Sequence, residues 1–319
     1  MKNIYDPLFD GQLIDPVQYN FLKQVHTRKI VSLYYELRLI LYLGIMLFTG
    51  GIGYLVSQNI SSFGHLVLMA LIGVSIYTCF YYIGKQAKPY ANAKVSDDHV
   101  YFDYLVLLAA LLIISLFTYV LVYFEWTPAI GQLSFLSAII LVFMSYRYDN
   151  KVLLSMAITA LAAAVGITVS PVDWVNGDLL EGSRLFNTSI VLGVLLCVAA
   201  VWTKRAEIKP HFDFTYRNFG YLFYLVGCLT AIFASDSPVT YSLLTIASSL
   251  GLAILSWRLK EFLFFLYTSI AGYIAITYMV FEAVDQMNDG YWLLIYYFPV
   301  SCIGYIAFLI TKKSHFIND

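Results

Sequence analysis

Apolar residues dominate this chain in long blocks, and short polar stretches separate the blocks. A helix needs about 20 apolar residues to cross the ~30 Å hydrocarbon layer at ~1.5 Å per residue. By that measure ten blocks qualify, at residues 38–57, 64–84, 104–124, 129–146, 151–169, 185–203, 218–235, 239–257, 262–281 and 291–311. Several connections are only a few residues long, which forces neighbouring helices into antiparallel hairpins. Proline supports the divisions. Pro89, Pro128, Pro171, Pro210 and Pro238 fall between blocks or in a first turn, where a missing N–H costs little. Pro299 alone stands inside one, and a kink is expected there. The pattern predicts an all-α, polytopic transmembrane helical bundle of about ten spans, arranged as consecutive antiparallel hairpins.

Charge sets the orientation. With the N-terminus inside and spans alternating, every Lys and Arg except Arg184 falls in a cytoplasmic segment. Bases are held back from translocation, so this split predicts both termini on the cytoplasmic side. The outer loops collect Glu125, Asp173, Asp178, Glu181, Asp236, Glu282, Asp285 and Asp289. All five tryptophans lie near span ends, where an amphipathic indole prefers the headgroup region.

The N-terminal segment, residues 1–37, is the one sizeable polar stretch. It lacks the basic patch and short apolar core of a cleavable signal. Asp15-Pro16-Val17-Gln18 reads as the N-cap and first turn of a short helix, with Gln18 reaching back to the cap. Val17, Phe21, Leu22 and Val25 share one face, suited to the membrane surface, the inner loops or a protein partner. Residues 38–313 then form the membrane domain and 314–319 a cytoplasmic tail.

Composition agrees: 60% of the 319 residues are hydrophobic and 12% charged, half the charge of a soluble domain. Cys79, Cys197, Cys228 and Cys302 all lie in apolar runs and read as packing residues. Small residues at i and i+4, Ala160 with Ala164, Ala247 with Gly251 and Thr268 with Gly272, suit close helix contacts. The run Phe48-Thr-Gly-Gly-Ile-Gly-Tyr-Leu55 lacks the Lys-Ser/Thr ending of a phosphate loop.

Candidate chemistry is sparse. No ionisable side chain falls near a predicted midplane, where an ion-coupled transporter or proton pump usually needs one. Arg38, Asp103 and Glu282 lie at span ends and can reach water. Asp103 is the first of these to test by mutation. The five histidines are scattered without metal-ligand spacing, and the acidic outer loops do not match a calcium loop. No cofactor and no nucleic-acid partner is expected; the lipid bilayer is the evident surrounding. Arg38, Asp103, Asp173, Arg184, Glu282 and Pro299 remain the candidate functional residues.

Two stretches resemble the bacterial DUF2157 family of predicted membrane proteins. One is GQLIDPVQYNFLKQV from Gly11; the other is LYLGIMLFTGGIGYLVSQNISSF from Leu41, a Gly-rich span ending in Gln58-Asn59. Ile60 stands where that family often has Trp. The resemblance covers about the first 150 residues and implies a multi-pass protein of the bacterial cytoplasmic membrane, with no site residues to carry over. The leading expectation is a non-enzymatic scaffold or sensor. A transporter of a small neutral or hydrophobic solute is the rival, and a lipid-modifying enzyme is the third reading.

Overall fold

A computed structural model describes residues 15–16, 34–58, 62–93, 101–126, 130–165, 183–286 and 291–317. Among these, ten α-helices lie on the ten apolar blocks. They are α1 (Tyr34–Gln58), α2 (Ser62–Gln86), α3 (Phe102–Tyr123), α4 (Ile130–Tyr148), α5 (Lys151–Ala164), α6 (Ser183–Arg205), α7 (Asp213–Ala234), α8 (Pro238–Arg258), α9 (Phe262–Asp285) and α10 (Tyr291–Ile317). A 3₁₀ turn, Pro210–Phe212, leads into α7.

Seven of these helical stretches are long and apolar enough to cross a membrane, fewer than the ten blocks. Among the described residues of the other three, α1 holds a shorter apolar stretch, Leu39–Gly51. α4 carries Gln132 and Arg147 near its ends. α5 has 14 residues, about 21 Å of rise against ~30 Å of hydrocarbon.

Helix is the natural state for such sequences, because a lipid-facing backbone must satisfy its own N–H and C=O groups. Side-chain hydroxyls do the same. Ser75, Thr78 and Thr230 each donate to the carbonyl four residues back, at 2.9, 2.8 and 2.8 Å.

The chain forms two compact units, 1–68 and 69–319. In the first, α1 is the main described element. Cβ atoms placed on its Gly44, Gly50 and Gly51 would meet nothing within 4 Å among the described residues. The helix expected from Asp15 lies outside the described residues beyond Pro16.

In the second unit, α7 is central and touches α5, α6, α8 and α9. Leu154, Ile158 and Ala162 of α5 meet Leu192, Leu196 and Ala200 of α6, with Phe212 and Tyr216 closing the cluster. The α6–α7 pair is drawn together by glycine. A Cβ on Gly193 would lie 2.4 Å from the Tyr224 nitrogen, and one on Gly220 would lie 2.7 Å from Cys197 Sγ. One on Gly227 would meet Ile190 at 2.9 Å. The small-residue pairs expected from sequence behave differently from one another. Ala164 sits 2.9 Å from the Cβ position of Gly131, and Gly272 comes within ordinary contact of Ser249, whereas Gly251 has open space beside it. α10 leans on α9 through stacked Tyr273 and Tyr305 rings, 4.6 Å apart. All four cysteines are free, with Cys79 and Cys228 buried.

Candidate functional site

The most chemically concentrated region gathers where the α4–α5 turn meets the linker between α6 and α7. It begins at the two-residue turn between α4 and α5. Asp149 ends α4 with φ 59°, a left-handed conformation that Asp tolerates better than most residues. Asn150 follows as the N-cap of α5, its Oδ1 accepting from the Val152 and Leu153 N–H groups at 2.9 and 3.2 Å. The Asn150 amide also donates to the Asp103 carbonyl at 3.2 Å and approaches its Oδ1 at 3.5 Å. The α4–α5 turn is thereby tied to the start of α3.

The Asp149 carboxylate points inward and is 4% exposed. Its two oxygens receive two partners from the linker between α6 and α7. Lys209 Nζ lies 3.2 Å from Oδ2 and is itself 1% exposed. His211 Nε2–H donates to Oδ1, because an ionised carboxylate can only accept. Lys209 is held from both ends. Its backbone N–H donates to the Asn92 carbonyl at 2.9 Å, and its ammonium sits 5.2 Å from the Tyr90 ring centroid. Its φ of 51° is a left-handed strain that these contacts hold in place. The His211 ring meets Phe212 edge-on at 4.7 Å, and Phe212 meets Tyr146 at 5.2 Å. The Tyr146 and Tyr216 hydroxyls complete the chain at 2.9 Å.

A second cluster lies on the other side of α7's first turns. Arg217 pairs with Asp213 one helical turn earlier at 2.9 Å. It also grips Glu261, from the α8–α9 turn, with both ends of its guanidinium, one contact being 2.7 Å. Two parallel N–H donors match the two carboxylate oxygens, the strongest arrangement such a pair can adopt. Phe264 lies under the guanidinium at 4.9 Å.

Asp149 and Lys209 offset each other one to one, whereas Arg217 is shared between two carboxylates, Asp213 and Glu261. A carboxylate and an ammonium removed from water are costly apart and tolerable only together. The void beside Asp149 is about 10 Å³, room for about one water. Among the described residues no three of His, Cys, Asp and Glu converge as a metal site requires.

Residues 7–154 match the family model DUF2157, described as a predicted membrane protein. The resemblance carried by the stretches from Gly11 and Leu41 is borne out. No curated protein and no solved structure matches the chain. The DUF2157 region ends just past the α4–α5 turn, so Asp149 lies inside it and Lys209 and His211 outside. The buried ion pair joins the matched and unmatched parts of the chain. With the family match and seven membrane-capable helices, this is a transmembrane protein.

Of the residues singled out from sequence, Asp103 joins the Asp149 cluster through Asn150. Glu282 stands apart at the opposite end of α9, where the Tyr278 hydroxyl approaches it at 3.5 Å. Pro299 lies exposed within α10, which continues on both sides of it. Arg38 is near the start of α1 and Arg184 in the first turn of α6; their side chains, like Asp173, lie outside the described residues. Asp149, Lys209, His211 and Glu261 were not singled out. Two local signals pointed to parts of the site: Asp-Asn between two apolar blocks, and the four-residue spacing of Asp213 and Arg217.

Proposed function

We propose a non-catalytic membrane scaffold or sensor with ten spans in consecutive antiparallel hairpins, both termini cytoplasmic, in a bacterial cytoplasmic membrane. The N-terminal segment, residues 1–37, faces the cytoplasm and offers its amphipathic helix to a protein partner. The carrying observation is that the buried Asp149 and Lys209 are used on each other, with a void of only about 10 Å³ beside Asp149, and that Arg217 is likewise taken up by Asp213 and Glu261. A catalytic or transport site would need such groups aimed into a space that a substrate can enter. The larger cavities are lined instead mostly by apolar side chains. The order of the bases along the chain supports the orientation, and the ten helices on ten apolar blocks support the span count.

The test is untargeted metabolite profiling of a strain lacking the protein, with the wild type restored as control. Unchanged solute and lipid pools are expected. A single solute that accumulates, and returns to normal on restoration, would overturn the proposal in favour of transport. An altered lipid species would do so in favour of an enzyme. A reporter on residues 314–319 is expected to be reachable from the cytoplasm only.

A further inference from the structure

Three apolar grooves run along the second unit, and each ends at an aromatic and a base. The groove along α4 and α5 ends at Tyr146 and Arg147. The one between α6, α7 and α8 ends at Trp202 and Arg205. The groove between α8, α9 and α10, of about 650 Å³, carries this furthest, because two bases from different helices line it. Arg258 is the last residue of α8 and Lys312 lies in the last turns of α10. Lys312 Nζ stands 5.3 Å from the Trp257 ring centroid. Above them the walls are aliphatic and open. Leu250, Ile254 and Ile276 are 63%, 49% and 48% exposed.

Lone bases at helix C-termini are explained by the helix dipole. The dipole does not explain why two of them, from separate helices, line one apolar channel together with an indole. That order of chemistry, hydrocarbon along the channel and paired cations at its mouth, complements an anionic amphiphile. A second copy of the chain is disfavoured on the same ground. A two-fold contact places the same patch on both partners and would gather four bases, Arg258 and Lys312 of each copy, in one interface.

We propose that the groove between α8, α9 and α10 binds an anionic glycerophospholipid of the inner leaflet. An acyl chain lies along Leu250, Ile254 and Ile276, and the phosphate is held by Arg258 and Lys312 beside Trp257. This stands independently of whether the protein is a scaffold; only the choice of the inner leaflet rests on the proposed orientation.

The experiment uses the full-length protein in mild detergent. It is titrated with phosphatidylglycerol or with phosphatidylcholine of identical chains, and retained lipid is read by native mass spectrometry. Each base near an anionic headgroup contributes roughly a fivefold preference, so the wild type is expected to favour phosphatidylglycerol by up to about twenty-five-fold. The Arg258→Gln/Lys312→Gln variant is expected to lose that preference while still retaining phosphatidylcholine. A Lys204→Gln/Lys313→Gln control removes the same charge outside the groove and is expected to keep the preference. Should the groove variant fail to fold, Lys312→Gln alone should lower the preference about fivefold. Equal retention of both lipids by the wild type would overturn the proposal. So would an equal loss in the control pair, or a dimer that excludes lipid.

Discussion

Helices α6 and α10 are similarly apolar and both suit a membrane, yet they meet different fates. In α6, 33% of the apolar window is buried within the protein; in α10, none of it is. Both contain glycine, so the difference is not the presence of a small residue. It is whether that residue faces backbone. Gly193 of α6 admits the α7 backbone, with Tyr224 nitrogen 2.4 Å from where a Cβ would stand, whereas Gly304 of α10 has nothing within 4 Å. Lipid attracts apolar side chains as well as another helix does, so close fit and polar ties decide which helices associate. α6 and α7 have both: the glycine contacts, and the Ser189 hydroxyl of α6 donating to the Phe223 carbonyl of α7 at 2.8 Å. α10 has stacked tyrosines and a few hydroxyl contacts along one side.

The sharpest way to break this contrast is to remove the anion under the linker. Asp149→Ala leaves the Lys209 ammonium buried without its partner and should cost about 3–5 kcal/mol, read by denaturant unfolding in micelles. Glu282→Ala, at the far end of α9, should change stability by less than about 0.5 kcal/mol in the same assay. Next in size is Gly193→Ala. The added methyl meets backbone that cannot swing aside, so a loss of about 1–3 kcal/mol is expected; no loss would mean that α6 and α7 are not held at this spacing. Glu261→Gln weakens the two-point grip on Arg217. Because Glu261 is 29% exposed, the expected cost is only about 1 kcal/mol, measured as a fall in melting temperature. Smallest is Gly304→Ala, which meets open space and should stabilise α10 by up to about 0.5–1 kcal/mol.

Much of the helical pattern was legible because hydropathy acts locally. The blocks at 239–257 and 262–281 became Pro238–Arg258 and Phe262–Asp285, and short polar turns marked where each helix stops. The ends were less exact where polar residues continue a helix. α7 begins at Asp213 rather than at 218, since Asp213 and Arg217 pair within its first turns. The Asp149 cluster was legible only in fragments. Asp103 drew attention as a charge at a span end, and its link to Asn150 crosses from α3 to the α4–α5 turn. Asp149, Lys209 and His211 each read as an ordinary loop residue. Their pairing depends on α5 packing against α6, through Leu154, Ile158 and Ala162 on Leu192, Leu196 and Ala200, not on any spacing along the chain. Gly251 shows the converse, a promising small-residue pair with open space beside it.

The buried tie between Asp149 and Lys209 also bears on how the protein is made. Synthesis delivers the carboxylate well before the amine, so an early hairpin entering the bilayer carries an acid whose counter-ion is still on the ribosome. Until α6 and its following linker emerge, Asp149 is best served by water at the membrane surface. A chain that stops between the two residues therefore lacks the ammonium against which the Asp149 carboxylate is buried.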